Sequence, residues 1–128
     1  MTSRAPRMSE AAFQAVVIEL AQRRGWVVAH FRPGIVGGRH MTPVAADGAG
    51  FPDLCMAHAR HGVIFAELKA ARGRLTVEQQ LWQGVLTAAP GVQHHVWRAD
   101  RTPLPDIDRV LTGREPRGAH HERSTSRR

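Results

Sequence analysis

Gly50-Phe51-Pro52-Asp53-Leu54-Cys55-Met56-Ala57-His58, Ala59-Arg60-His61-Gly62 and Val63-Ile64-Phe65-Ala66-Glu67-Leu68-Lys69 follow one another without a break. An apolar run, a short polar turn and a second apolar run predict two strands, 53–58 and 63–69, joined as a hairpin. With the turn centred between Arg60 and His61, opposed residue numbers sum to about 121, which puts Asp53 beside Glu67 or Leu68. Side chains alternate along a strand, so Glu67 and Lys69 share a face roughly 7 Å apart. A slip of one residue would turn Asp53 to the other face, so its place depends on register.

The flanks complete a mixed α/β pattern. Ser9 is a candidate N-cap, and Phe13, Val16, Val17 and Leu20 keep helical spacing until Gly25. Trp26 to Phe31 is β-branched and aromatic, a first strand. Arg32 to Gly50 is rich in glycine and proline without periodicity and reads as a long loop, a kind of segment that is often functional. Ala70 to Leu75 is a basic connector. Thr76 opens a second helix with Leu81, Trp82, Val85 and Leu86 on one face, ending near Pro90-Gly91. Val92 to Trp97 forms a fourth strand, and a short helix around Ile107, Val110 and Leu111 follows Pro105 and ends at Gly113. The order is helix, three strands, helix, strand, helix. One domain is expected over 9–112, between tails at 1–8 and 113–128 whose composition suits disorder.

Composition narrows the function classes. No run of eighteen apolar residues exists, and Met1 to Met8 lacks the apolar core of a signal peptide. The single cysteine, Cys55, has no intrachain partner, so a cytoplasmic setting is expected. Tyrosine is absent, which excludes a tyrosine nucleophile. The net charge is +7. Residues 1–8 carry Arg4 and Arg7, and residues 113–128 carry five arginines against two glutamates, so most of the excess lies in the tails. Such tails suit a phosphate backbone and suit mere solvation equally well. Of eighteen basic residues only Lys69 is a lysine, a compact ammonium able to address one water or one oxygen.

If the register holds, Asp53, Glu67 and Lys69 converge at the open end of the hairpin. Two adjacent carboxylates repel unless a proton or cation lies between them. Hard oxygen ligands suit Mg²⁺, with Mn²⁺ as a substitute, and a cation there beside an ammonium suits attack of water on a phosphodiester. An isolated Glu-x-Lys is more often an ordinary surface pair. The preceding Pro52-Asp53 and the apolar approach Val63-Ile64-Phe65 weigh against that reading here.

The segments Gly50-Phe51-Pro52-Asp53-Leu54, Phe65-Ala66-Glu67-Leu68-Lys69 and Gly73-Arg74-Leu75-Thr76-x-Glu78-Gln79-x-x-Trp82 resemble the VRR-NUC family of the PD-(D/E)XK nuclease superfamily. The likeness runs from Ser9 to about Trp97. It implies a restriction-endonuclease-like αβββαβ core, a mixed sheet flanked by helices. It also implies a Mg²⁺-dependent DNA endonuclease acting on branched or structured DNA, such as Holliday junctions or flaps, and a homodimer. By the same resemblance Asp53 and Glu67 bind the metal, the carbonyl of Leu68 assists, and Lys69 orients or activates the attacking water. By the resemblance Glu10 on the first helix matches a further catalytic and metal-binding position, and Gln79 on the second a further catalytic one. The competing class is a non-catalytic DNA-binding module that keeps the nuclease fold.

Glu10 has a second explanation, because an acid in a first turn favours the helix dipole whatever the function. Gln79 follows Thr76 at capping-box spacing, which accounts for it without chemistry. Arg72 and Arg74 in the connector, with Arg32 and His30 where the first strand meets the long loop, are candidate DNA contacts. The other histidines form no zinc set at recognised spacing, and Trp26, Trp82 and Trp97 are spaced as core residues.

Overall fold

A computed structural model describes residues 8–31, 34–36, 39–41 and 45–113, the two short internal segments as backbone. The elements in chain order are α1 (Glu10–Arg23), β1 (Val27–His30), β2 (Gly34–Val36), β3 (Arg39–Met41), β4 (Leu54–His58), β5 (Gly62–Lys69), α2 (Val77–Ala88), β6 (Val92–Arg98) and α3 (Leu104–Leu111). Four strands make one mixed sheet in the order β1-β4-β5-β6. The first three are antiparallel to their neighbours, and β6 lies parallel to β5. A parallel neighbour needs a crossover, and α2 supplies it.

Helix α1 begins where Ser9 Oγ accepts the Ala12 N–H at 3.1 Å. Its buried stripe is Phe13, Val17 and Ala21, one residue per turn of helix. Gly25, at φ +89°, reverses the chain into β1. The stripe packs with Leu54, Met56, Ile64, Ala66, Leu68 and Trp97 from the sheet and with Ile107, Val110 and Leu111 from α3. Trp26 closes that layer, its Nε1–H donating to the buried Leu111 carbonyl at 2.9 Å. The other sheet face carries Phe65, where Phe51 and Trp82 meet edge to face at 4.9 Å between centroids and Phe51 meets Phe65 at 5.8 Å. The sheet is thus packed on both sides, with the main apolar core on the α1 and α3 side.

Three expectations need correction. The segment from Arg32 to Gly50 is not structureless, for β2 and β3 pair antiparallel as a second, two-stranded sheet. Trp26 stands before the first strand, not in it. The hairpin takes the first of the two expected pairings: Leu54 opposes Ala66 and His58 opposes Gly62, so the turn centres on Arg60 and Asp53 falls opposite Glu67. His58 sets this turn, its Nδ1 accepting the N–H groups of Arg60 at 3.0 Å and His61 at 3.3 Å, with Gly62 at φ +88°. Finally, α2 is rotated from its expected orientation. Leu86 is buried, but Leu81 and Val85 are 61% and 57% exposed. Gln79, Trp82, Gln83 and Leu86 turn inward instead, because bonds at the first turn fix the helix about its axis, as described below. The expected tails lie outside the described residues apart from Met8 and Gly113, as does Arg32.

Candidate active site

Continuing the β4–β5 register by one residue from Leu54 and Ala66 sets Asp53 opposite Glu67. Asp53 Oδ2 accepts the Leu68 N–H at 2.8 Å, which anchors the aspartate at the end of the hairpin. Leu68 itself is fully buried in the core, and its N–H is the group that the site uses. Pro52 is also fully buried, so the approach to Asp53 is fixed from behind.

Glu67 is the one buried charged residue among the described residues, 3% exposed. Burial raises its carboxyl most, the adjacent Asp53 adds to this through its charge and a hydrogen bond, and Glu10 adds a little. Lys69 opposes them, and the balance pushes Glu67 up to about 8. Lys69 Nζ stands 4.0 Å from Glu67 Oε2. The two therefore share a face and a neighbourhood but not a tight ion pair.

Gln79 completes the arrangement. Its Nε2 donates to Glu67 Oε2 at 2.7 Å, while its Oε1 accepts the Thr76 N–H at 2.8 Å. Thr76 Oγ1 in turn accepts the Gln79 N–H at 3.1 Å, which closes the capping box. One side chain thus both closes the capping box and bonds Glu67. Gly50, at φ +80°, lies so close to α2 that an added Cβ would sit 2.5 Å from the Glu78 carbonyl carbon. Trp82 Nε1–H donates to the Asp47 carbonyl at 3.0 Å. The chain leading to Asp53 and the first turns of α2 are therefore held together.

The remaining predicted residues fall into place unequally. Glu10 is exposed in the first turn of α1 and reaches Glu67 only through its charge. Among the described residues no three His, Cys, Asp or Glu side chains gather as a metal-binding group, so Glu10 is not brought in as a third ligand. Arg72 and Arg74 are exposed on the connector. His30 opposes Leu54, on the sheet face turned away from Asp53, and so does not join the acids.

Two residues escaped the sequence reading. Arg98 is the parallel partner of Lys69, and its guanidinium donates to the Gly73 carbonyl, fixing the connector over the strand ends. A Cβ at Gly73 would lie 3.0 Å from Lys69 Cδ, so the connector backbone packs directly on the lysine stem. Phe31 continues β1 beyond its last assigned residue, its N–H donating to the Asp53 carbonyl at 2.9 Å. The signal for Arg98 was a basic residue ending the fourth strand, as Lys69 ends the third.

Two adjacent carboxylates, one deeply buried and raised well above the usual carboxylate range, are a donor pair that a divalent cation would relieve. Mg²⁺ is commonly held by one or two carboxylates while it keeps several waters, so Asp53 and Glu67 are the side chains that could hold it. Comparison of the chain with protein-family models, with curated proteins and with solved structures gave no match.

Proposed function

We propose that this chain is a Mg²⁺-dependent DNA endonuclease that hydrolyses phosphodiester bonds, with Mn²⁺ able to substitute. The observation that carries the reading is the convergence of Asp53, Glu67 and Lys69 at one strand end, with Gln79 bonded to Glu67 at 2.7 Å. The mixed α/β sheet and the sequence motifs support a restriction-endonuclease-like core and membership of the VRR-NUC family, with branched DNA of Holliday-junction or flap type as substrate.

Asp53 and Glu67 would hold the cation, which supplies Lewis-acid polarisation of the phosphoryl oxygens and a more acidic water. Lys69 stands where its ammonium can orient that water or stabilise charge building on phosphate oxygens. Gln79 holds Glu67 in place, and Arg72 and Arg74 offer exposed guanidinium groups to the backbone on either side. Cutting both strands of a duplex calls for two copies. The exposed, uncharged stripe Val77, Leu81 and Val85 on α2 supports such a homodimer. Molar mass by light scattering tests that point.

The deciding experiment is a panel of plasmid, flap and four-way-junction DNA incubated with and without Mg²⁺ or Mn²⁺. Metal-dependent cleavage by the wild-type chain is expected, with Glu67→Ala and Lys69→Ala binding DNA but leaving it uncut. Binding with no cleavage of any DNA form would instead select a non-catalytic DNA-binding module.

A further inference from the structure

Two large apolar side chains stand exposed on the sheet face that carries the acids: Val27 at the far end of β1, and Phe31, 46% exposed, at the near end. Phe31 opposes Asp53 through the ladder bond between them, and Asp53 opposes Glu67. The three side chains therefore make a row across three strands, stepping about 5 Å each time. The phenyl ring is supported from one side. It meets Phe51 in a T at 5.2 Å between centroids and 88° between planes, and Phe51 is itself wedged against Phe65 and Trp82. The cations lie on the other side of the acids, Lys69 on β5 and Arg98 on β6.

The spacing of this row matches that of a nucleotide laid across the strands. An anionic phosphodiester at the acids and Lys69 leaves a flat ring one or two strand spacings away, which is the reach from a phosphate to its neighbouring base. A base inside a duplex is already stacked on both faces, whereas an unpaired base has a face to offer.

Resting on the nuclease reading, we propose that Phe31 is a stacking platform for an unpaired nucleobase beside the phosphodiester held at Asp53, Glu67 and Lys69. It thereby selects single-stranded or branch-point DNA over intact duplex.

The test uses the full chain with flap oligonucleotides carrying 2-aminopurine at successive unpaired positions, in Ca²⁺, an oxygen-ligated cation in place of Mg²⁺, so that binding is read without cleavage. Wild type should change the fluorescence of one position next to the junction. Phe31→Ala should abolish that change and weaken flap binding about tenfold, with duplex binding unchanged, and Phe31→Trp should restore both. Phe31→Leu keeps the apolar bulk without an aromatic face and should behave as alanine does, which separates stacking from folding. Equal flap binding and an unchanged 2-aminopurine signal in the alanine and leucine variants would overturn the platform. Failure of wild type to cut any DNA with Mg²⁺ or Mn²⁺, while the Phe31-dependent signal persists, would overturn the nuclease reading alone. If the chain binds no DNA, both fall.

Discussion

Gln79 and Glu67 are joined by a 2.7 Å hydrogen bond, made by the same glutamine that closes the capping box of α2. Helix initiation and the geometry of the candidate metal acid are therefore one construction. Gln79→Ala should lose the cap, about 1 kcal/mol, and leave a buried carboxyl short of a partner, about 1–2 kcal/mol more. Thr76→Ala removes only the threonine half and should cost about 1 kcal/mol. Urea unfolding of both variants decides this, and equal losses would refute the double role. Cleavage by Gln79→Ala should fall by roughly 10- to 100-fold, as when the support of a metal ligand is removed.

The raised Glu67 makes metal-free stability depend on pH. Its ordinary value is 4.5 and its folded value about 8, so between them the folded chain holds a proton that the unfolded chain releases. The contribution of this group is fully present below about 4.5 and is lost as pH rises through 8. Glu67→Gln should match wild type at pH 4 and be more stable at pH 8, by an order of a few kcal/mol. Denaturant unfolding in EDTA across that range should show the two curves diverging. Parallel curves would mean that Glu67 is not held as the fold implies.

Gly50 and Gly84 give opposite predictions for the same substitution. At Gly50 an alanine Cβ would fall 2.5 Å from the Glu78 carbonyl carbon and 2.7 Å from the Gln79 nitrogen, at φ +80°. Gly50→Ala should cost about 2 kcal/mol or more and reduce cleavage by displacing Gln79. Gly84 lies mid-helix with nothing within 4 Å of its missing Cβ. Gly84→Ala should stabilise by about 0.5–1 kcal/mol. Paired melting curves test both signs at once.

The rotation of α2 can be checked directly. Leu81→Lys and Val85→Lys should change stability by no more than about 0.5 kcal/mol. Leu86→Ala, at the buried position, should cost about 2–3 kcal/mol. A large loss from the exposed pair in the monomer would contradict the observed orientation.

The sequence signals differ in what they could reveal. The hairpin and its acids were legible because period-two alternation and a bounded turn fix which residues share a face. The face of α2 was not, because Leu81, Trp82, Val85 and Leu86 span two adjacent stripes, and apolar character alone cannot choose between them. The choice is made by the Thr76–Gln79 cap and the Glu67 bond, one of which is tertiary. The choice between Glu67 and Leu68 opposite Asp53 rests on His58 acting as a turn acceptor, a use that composition does not announce. Strands β2 and β3 are three residues each, too short for any period to emerge. Phe31 read as the end of a strand, and its importance lies in what sits across the ladder from it.

The three-residue turn between β4 and β5 has a kinetic consequence. Hairpin contacts are local and close early, whereas Gln79 arrives only when α2 docks and β6 is added. The repulsion between Asp53 and Glu67 is therefore met before the bond that steadies Glu67 exists. The acids then tax the folding barrier as well as the folded state. Above pH 8 in EDTA, Glu67→Gln should refold faster than wild type by the part due to Asp53 and unfold more slowly by the larger part due to burial, a chevron displaced on both limbs.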